Sequence, residues 1–387
     1  MPRHRRSGEN VRVAVVGGGF IAKAHAAAFH ALAAYYPELP RVERLLLCDA
    51  TEDLARKAAA RLGFSEWAVG WEAAVGREDV DLVVIATPPD LHRDVSLAAV
   101  RAGKDVLCEK PLARNANEAA EMCREAVRAG VLHVTGFNHR QSPLLRQARR
   151  LTSEGAVGDV FHVTGRYFQD YGRDPSRPAN WRHQTARAGG GAVTDAGSHL
   201  IDAVGLLAGD ITAVTALTRT LIGERPAEGG TRPVEVEDYA GFLARFRSGA
   251  AGVFELSRTA PGRRNQLAIE VHGSRGSLAF DSERMNELQY FSVDDPVERQ
   301  GFRRILAGPA HPPYAGLLPV AGLGIGFFET ILVQAAAVVR AMSGDEEEEG
   351  SLATFEDGWR VSRITDAVIE SGRTGQWVET PPMEAPA

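Results

Sequence analysis

The stretch Val13-Ala14-Val15-Val16-Gly17-Gly18-Gly19-Phe20-Ile21-Ala22 decides the fold. A β-branched run ends in G-x-G-x-x-A, and an alanine-rich, helix-forming segment, His25–Ala34, follows it. Gly17 permits a tight turn. Gly19 removes the side chain where a pyrophosphate must approach, and Ala22 lets the helix lie close to the strand. Free N–H groups and a partial positive charge at the helix N-terminus would then face the phosphates, with Phe20 and Ile21 beside them. A ligand-free glycine turn would show the same letters, so the flanking pattern must carry the argument.

That pattern repeats. Further strands are expected at Arg44–Cys48, Leu82–Ala86, Asp105–Cys108 and Leu132–Thr135, and helices at Leu54–Leu62, Val95–Ala102 and Glu118–Ala129. Strands and helices alternating at these lengths imply βαβ units and a doubly wound parallel sheet, an α/β Rossmann domain over residues 1–137. The second strand ends at Asp49. An acid there can accept hydrogen bonds from both ribose hydroxyls and repel a 2′-phosphate, which favours NAD over NADP. It lies 30 residues beyond Gly19, against the usual ~20; the segment Ala33–Glu43, with Pro37 and Pro40, supplies the surplus. The competing reading makes Asp49 a helix N-cap.

Beyond residue 137 the strands lengthen and alternate with period two, as in Val160–Tyr167, Ala240–Phe246, Ala251–Leu256 and Leu267–His272. Residues 138–387 therefore read as an α+β domain with a large, mostly antiparallel open sheet and helices on one side. The acidic run Asp345–Glu349 reads as a solvated loop.

Composition narrows the function. With 387 residues, 44% hydrophobic and 24% charged, the chain is long enough for two cores and too apolar for disorder. Its 44 Lys and Arg against 50 Asp and Glu give a charge of −6, which disfavours nucleic acid or an anionic membrane as partner. Cys48, Cys108 and Cys123 show no C-x-x-C spacing, which argues against a disulfide framework or zinc ribbon and for a reducing cytoplasm. Met1–Asn10 is basic and polar and reads as a frayed tail. The most apolar C-terminal stretch, Gly316–Val339, is broken by Pro319, Glu329 and Gln334, so no membrane span is expected. A small-molecule partner fits best.

Three stretches carry chemistry. Thr87-Pro88-Pro89-Asp90-Leu91-His92 turns the chain at the carboxyl end of a strand, where such sheets hold ligands. Glu109-Lys110-Pro111 puts an acid and a base at the next strand tip. Gly189-Gly190-Gly191 opens a helix on which Asp195, His199 and Asp202 fall at about 0°, 40° and −20°, one face. A solvated polar stripe would look the same. The glycines suggest instead a close backbone or ligand approach. His and Asp at one-turn spacing could also chelate a metal, but oxidation by NAD needs a base rather than a Lewis acid, so none is assigned.

Together with Gly136-Phe137-Asn138-His139-Arg140, these stretches resemble the Gfo/Idh/MocA oxidoreductases (glucose–fructose oxidoreductase, inositol dehydrogenase and relatives) over nearly the whole chain. Gly301–Arg304, Gly308–Pro312, Gly322–Gly326 and Phe355–Gly358 resemble the levoglucosan dehydrogenase branch. The resemblance implies that Lys110 orients a substrate hydroxyl, His199 takes its proton, and Asp195 hydrogen-bonds substrate and tunes His199. It places Thr87, Pro88, His92, Glu109, Lys110, Trp181 and Arg182 near the cofactor, although Trp181 could equally fill a core. Asn138, Arg140, Gln169, Asp170 and His311 are candidates for the sugar pocket. The implied activity is NAD-dependent oxidation of a secondary ring hydroxyl, the 3-hydroxyl preferred, of a pyranose, anhydrosugar, glycoside or aminoglycoside. Rival readings are an NAD-recycling glycoside hydrolase and a non-catalytic NAD sensor. A homodimer or homotetramer through the C-terminal sheet is also implied.

Overall fold

The computed structural model describes residues 10–380; the expected frayed tail lies outside them except for Asn10. The chain forms two compact units. In the first, β1 (Asn10–Val16), β2 (Arg41–Asp49), β3 (Glu66–Val69), β4 (Leu82–Ile85), β5 (Asp105–Cys108) and β6 (His133–Thr135) make a parallel sheet in the order β3-β2-β1-β4-β5-β6. Its order reverses between β1 and β4, which opens a ligand crevice at the carboxyl ends of those strands. The central strands are covered on both faces: Val13, Ala14, Val15 and Leu82–Ile85 are fully buried. The edge strand β3 escapes a hydrophobicity reading because Glu66, Trp67 and Val69 are exposed.

This unit ends at Gln141 but takes back Ile325–Trp359, so a simple cut after residue 137 misses a returning segment. The helix Phe327–Met342 packs against the helix Phe20–Tyr35, and Thr135 N donates to Ala353 O at 2.7 Å beside β6. The acidic run is not the expected loop. Asp345 accepts from Glu348 N at 3.1 Å and caps a short helix, Glu346–Ser351, whose acids lie at the favourable positive end, while Glu348 reaches Arg340 at 3.3 Å.

The second unit contains β7 (Val160–Phe168), β8 (Ile211–Arg219), the separate hairpin β9 (Glu224–Ala227) and β10 (Gly230–Pro233), then β11 (Tyr239–Phe246), β12 (Ala251–Ser257), β13 (Gln266–Gly273), β14 (Gly276–Asp281), β15 (Glu287–Ser292), β16 (Arg303–Leu306) and β17 (Val378–Glu379). The large sheet runs β16-β15-β14-β13-β7-β12-β11-β8-β17. Every pairing is antiparallel except the central β7–β12 pair. The helix Ala192–Ala208 covers one face through β7, β11, β12 and β13; the other face leaves Leu217, Leu243 and Val253 about half exposed. Among the described residues no helix is long and apolar enough to cross a membrane. Cys48, Cys108 and Cys123 are buried free thiols.

Candidate active site

The glycine loop in the first unit is shaped for a pyrophosphate. Gly17 has φ +97°, and a Cβ there would meet Ala86 O at 2.7 Å, so only glycine fits. A Cβ on Gly19 would meet nothing within 4 Å, which leaves open space over the N-terminus of the helix Phe20–Tyr35. No side chain caps that helix and its first turn carries no acid, so its N–H groups and positive end are unneutralised by the protein's own side chains. Ala22 is fully buried under the helix, as its close packing requires; Phe20 is 76% exposed and Ile21 is half-buried. Asp49 Oδ2 accepts from Gly18 N at 2.9 Å, which fixes the carboxylate at the loop. The following helix is capped by Thr51, so the N-cap reading of Asp49 fails. Arg61, which no motif announced, donates from Nη2 to Gly18 O at 2.8 Å.

At the adjoining strand ends, Thr87 and Pro88 form the turn after β4, and Thr87 Oγ1 is buried with no partner, an atom suited to a ligand hydrogen bond. Glu109 sits under Lys110. His25 Nε2 lies 2.7 Å from Glu109 Oε1, with both side chains buried, and Lys110 N donates to Glu109 Oε2 at 3.2 Å. The carboxylate thus braces the backbone that carries the lysine. His139 also lies under the influence of Lys110: burial first, then that cation, pushes its pKa down to about 4, so it is neutral at physiological pH.

In the second unit the helix Ala192–Ala208 is buried nearly all round, His199 and Asp202 included, which rules out a solvated stripe. Tyr167 packs against His199, ring centroids 5.9 Å apart. Asp195 Oδ2 accepts from Arg258 Nη2 at 3.0 Å and Tyr171 Oη at 3.2 Å; with a guanidinium already beside it, Asp195 is a poor metal ligand. Glu237 Oε1 accepts from Gly191 N and Val193 N, each at 2.8 Å, and caps the helix from a distant segment. Burial pushes the Glu237 pKa up. The last glycine of the triplet is explained by the same approach, because a Cβ on Gly191 would lie 1.9 Å from Glu237 O.

A family model described as an oxidoreductase family with NAD-binding Rossmann fold matches residues 11–137, and one described as the GFO/IDH/MocA C-terminal domain matches residues 145–279. The levoglucosan dehydrogenase of Pseudarthrobacter phenanthrenivorans is 37% identical over 97% of this chain and 100% of its own length. The chain belongs to the Gfo/Idh/MocA oxidoreductase family. A solved levoglucosan dehydrogenase, in complex with NADH and levoglucosan, matches with a TM-score of 0.91 at 38% identity, over 96% of this chain and 100% of the other. Inositol 2-dehydrogenase of Rhizobium meliloti is 29% identical over 73% of this chain and 79% of its own length.

Within this Gfo/Idh/MocA oxidoreductase, which binds NAD(H) through its first unit, several of the expected site residues make structural contacts. His92 is fully buried, with Nδ1 2.9 Å from Pro111 O and Nε2 3.0 Å from Thr87 O; burial pushes its pKa down, and the neutral ring has one N–H, so it donates to one of these carbonyls and packs against the other. Arg140 is buried and paired with Asp357 at 3.0 Å. Asn138 Nδ2 donates to Thr330 Oγ1 at 2.7 Å and anchors the returning helix. Gln169 Nε2 donates to Asn265 Oδ1 at 2.6 Å, and Gln169 Oε1 is buried and unpartnered. Asp170 pairs with Arg264 at 2.9 Å. His311 Nδ1 is buried and unpartnered. Trp181 is half-buried and stacks under the exposed Arg182, 4.2 Å from its ring, so it is no core residue. His25, Glu237 and Arg258 escaped the sequence because no local spacing connects them to their partners.

Proposed function

We propose that this oxidoreductase removes hydrogen from a secondary ring hydroxyl, the 3-hydroxyl, of a neutral pyranose, anhydrosugar or glycoside. The carrying observation is a buried helix face that presents Asp195 and His199, the pair that the family resemblance makes catalytic. The kinship with levoglucosan dehydrogenase supports the substrate class. Bound NAD supplies the hydride acceptor. His199 takes the hydroxyl proton; the Lys110 ammonium stabilises the developing alkoxide; Asp195 orients the reacting group.

Charge balance favours a neutral substrate. Asp195 is matched by Arg258 and Asp170 by Arg264, so neither carboxylate calls for an ammonium group, and the charge argument for the aminoglycoside variant falls away. With a panel of anhydrosugars, glycosides, polyols and amino sugars, NADH absorbance should appear with the neutral members. No NADH with any of them and no NAD binding by calorimetry would refute the proposal; glycosidic cleavage without net NADH would point to the hydrolase.

Asp49 supports a preference for NAD. A carboxylate about 4 Å from a 2′-phosphate charge opposes it by roughly 1–4 kcal/mol. Asp49→Ser should therefore shift the ratio of kcat/KM for NAD over NADP by about 10- to 100-fold toward NADP, helped by the neighbouring Arg61. An unchanged ratio would remove Asp49 from coenzyme choice.

The open sheet face suits self-association. Leu243 pairs with Val253 across β11 and β12, and Gly241 pairs with Leu217 on β8, so the three exposed apolar side chains share one face. Sedimentation should show a homo-oligomer that Leu243→Glu with Val253→Glu dissociates; an unaffected oligomer would place the interface elsewhere.

A further inference from the structure

Arg258 is the charged group that the proposed chemistry leaves without a role. Its side chain is only 3% exposed, and burying a guanidinium costs several kcal/mol unless fixed partners compensate. Its partners are few. Nη2 donates to Asp195 Oδ2 at 3.0 Å and Nη1 reaches Arg182 O at 3.4 Å. The Tyr171 hydroxyl donates to the same Asp195 oxygen at 3.2 Å.

The sheet delivers both donors to one place. Because β7 and β12 run parallel, with Phe168 opposite Ser257, the chain leaves both strands at the same rim. Tyr171 follows the first and Arg258 the second, and Gly172 N donates to Arg258 O at 2.8 Å, locking one exit to the other. A Cβ on Gly172 would lie 2.9 Å from that oxygen.

We infer that Arg258, backed by Tyr171, is a positioning residue for the proposed oxidation: it matches the charge of the Asp195 carboxylate and holds it in one orientation, one helical turn from His199. This rests on the assignment of Asp195 and His199 to catalysis. Arg258 touches neither reacting atom; it acts through Asp195, as a fixed charge that need not reorganise when the proton moves. The other ionisable groups bearing on this cluster are His199 on the same helix, Tyr167 on β7, Arg182 and His183 in the turn Trp181–His183, and Glu237 ahead of β11.

The test is a double-mutant cycle on the full-length enzyme, read as kcat/KM for the sugar across pH. Arg258→Gln should lower it about 10- to 100-fold, the range for a lost charged hydrogen bond. The acid limb should move to higher pH, because losing a buried cation and leaving the Asp195 charge unmatched one turn away both favour the protonated form of the His199 base. Arg258→Lys, which keeps the charge, should restore the limb in part. In an Asp195→Asn background, Arg258→Gln should cost less than about 2-fold, since its partner charge is gone. If Arg258→Gln does not fold, Tyr171→Phe tests the same oxygen without touching the buried charge, with a few-fold loss that also vanishes in the Asn background. Equal losses in both backgrounds, or a loss with an unmoved acid limb, would overturn the inference while leaving the oxidation intact. Wild type forming no NADH would overturn the oxidation and this inference with it.

Discussion

His199→Ala should lower kcat for sugar oxidation by about 10²- to 10⁴-fold, the contribution of a positioned general base. A sugar hydroxyl is a weak acid, so its proton must leave as the C–H bond breaks, and water in a shielded site is a poor substitute. The ring is buried, carried on a helix itself buried nearly all round, and packed against Tyr167; alanine therefore removes the base and leaves the helix in place. NAD affinity by calorimetry should stay within a few-fold of wild type, because the glycine cradle lies in the other unit. Added imidazole should recover part of the rate by entering the space left beside Tyr167. Lys110→Met should give a loss of similar size without imidazole rescue, since a cation rather than a base has gone. Near wild-type turnover in either variant would remove that residue from the mechanism.

The second large effect is on stability. Gly191→Ala would drive a methyl to 1.9 Å from Glu237 O, and that neighbour is backbone, which cannot rotate away. Relief requires pulling apart the segments that Gly191 N, Val193 N and Glu237 hold together, which strips the cap from the helix Ala192–Ala208 and leaves a buried carboxyl unsatisfied. Overpacking and a lost buried partner together amount to about 3 kcal/mol or more. For a unit of this size that lowers Tm by roughly 6–12 °C, and activity should fall with it because Asp195 and His199 ride on the displaced helix. Gly205→Ala, in the same helix, is the control. Its Cβ would meet only Arg360 Nε, at 4.0 Å, so better helix propensity should stabilise by about 0.5–1 kcal/mol. A Gly191→Ala protein that melts with wild type would show that the two backbones separate freely.

What was legible in the sequence shares one property: the backbone demands it locally. Gly17 at positive φ, Asp49 at a strand tip, and Asp195 and His199 one turn apart are readable because turn geometry and helical period act over a few residues. Partners that arrive from another strand are not. His25 meets Glu109 across 84 positions, Arg258 meets Asp195 across 63, and Glu237 meets Gly191 across 46. Each joins side chains whose proximity only the sheet order creates. Structural partners of the candidate residues are hidden in the same way. Asp357, the partner of Arg140, lies 217 positions on, and the carbonyls of Thr87 and Pro111 beside His92 carry no letter of their own. Strand β3 was missed for a different reason, an exposed edge that need not be apolar.

The returning segment Ile325–Trp359 also sets the order in which this protein can be completed on the ribosome. Thr135 at the end of β6 bonds to Ala353 and Thr354, the latter 219 positions later. At about 5–20 residues per second, roughly 10–45 s pass between the emergence of β6 and of its cover. Throughout that interval the last strand of the nascent cofactor unit presents an open edge, the kind of template that recruits other strands. Ser142–Gly324, the larger part of the second unit, must be synthesised before the first unit can close, and the rest of the second unit, from Arg360, emerges only afterwards.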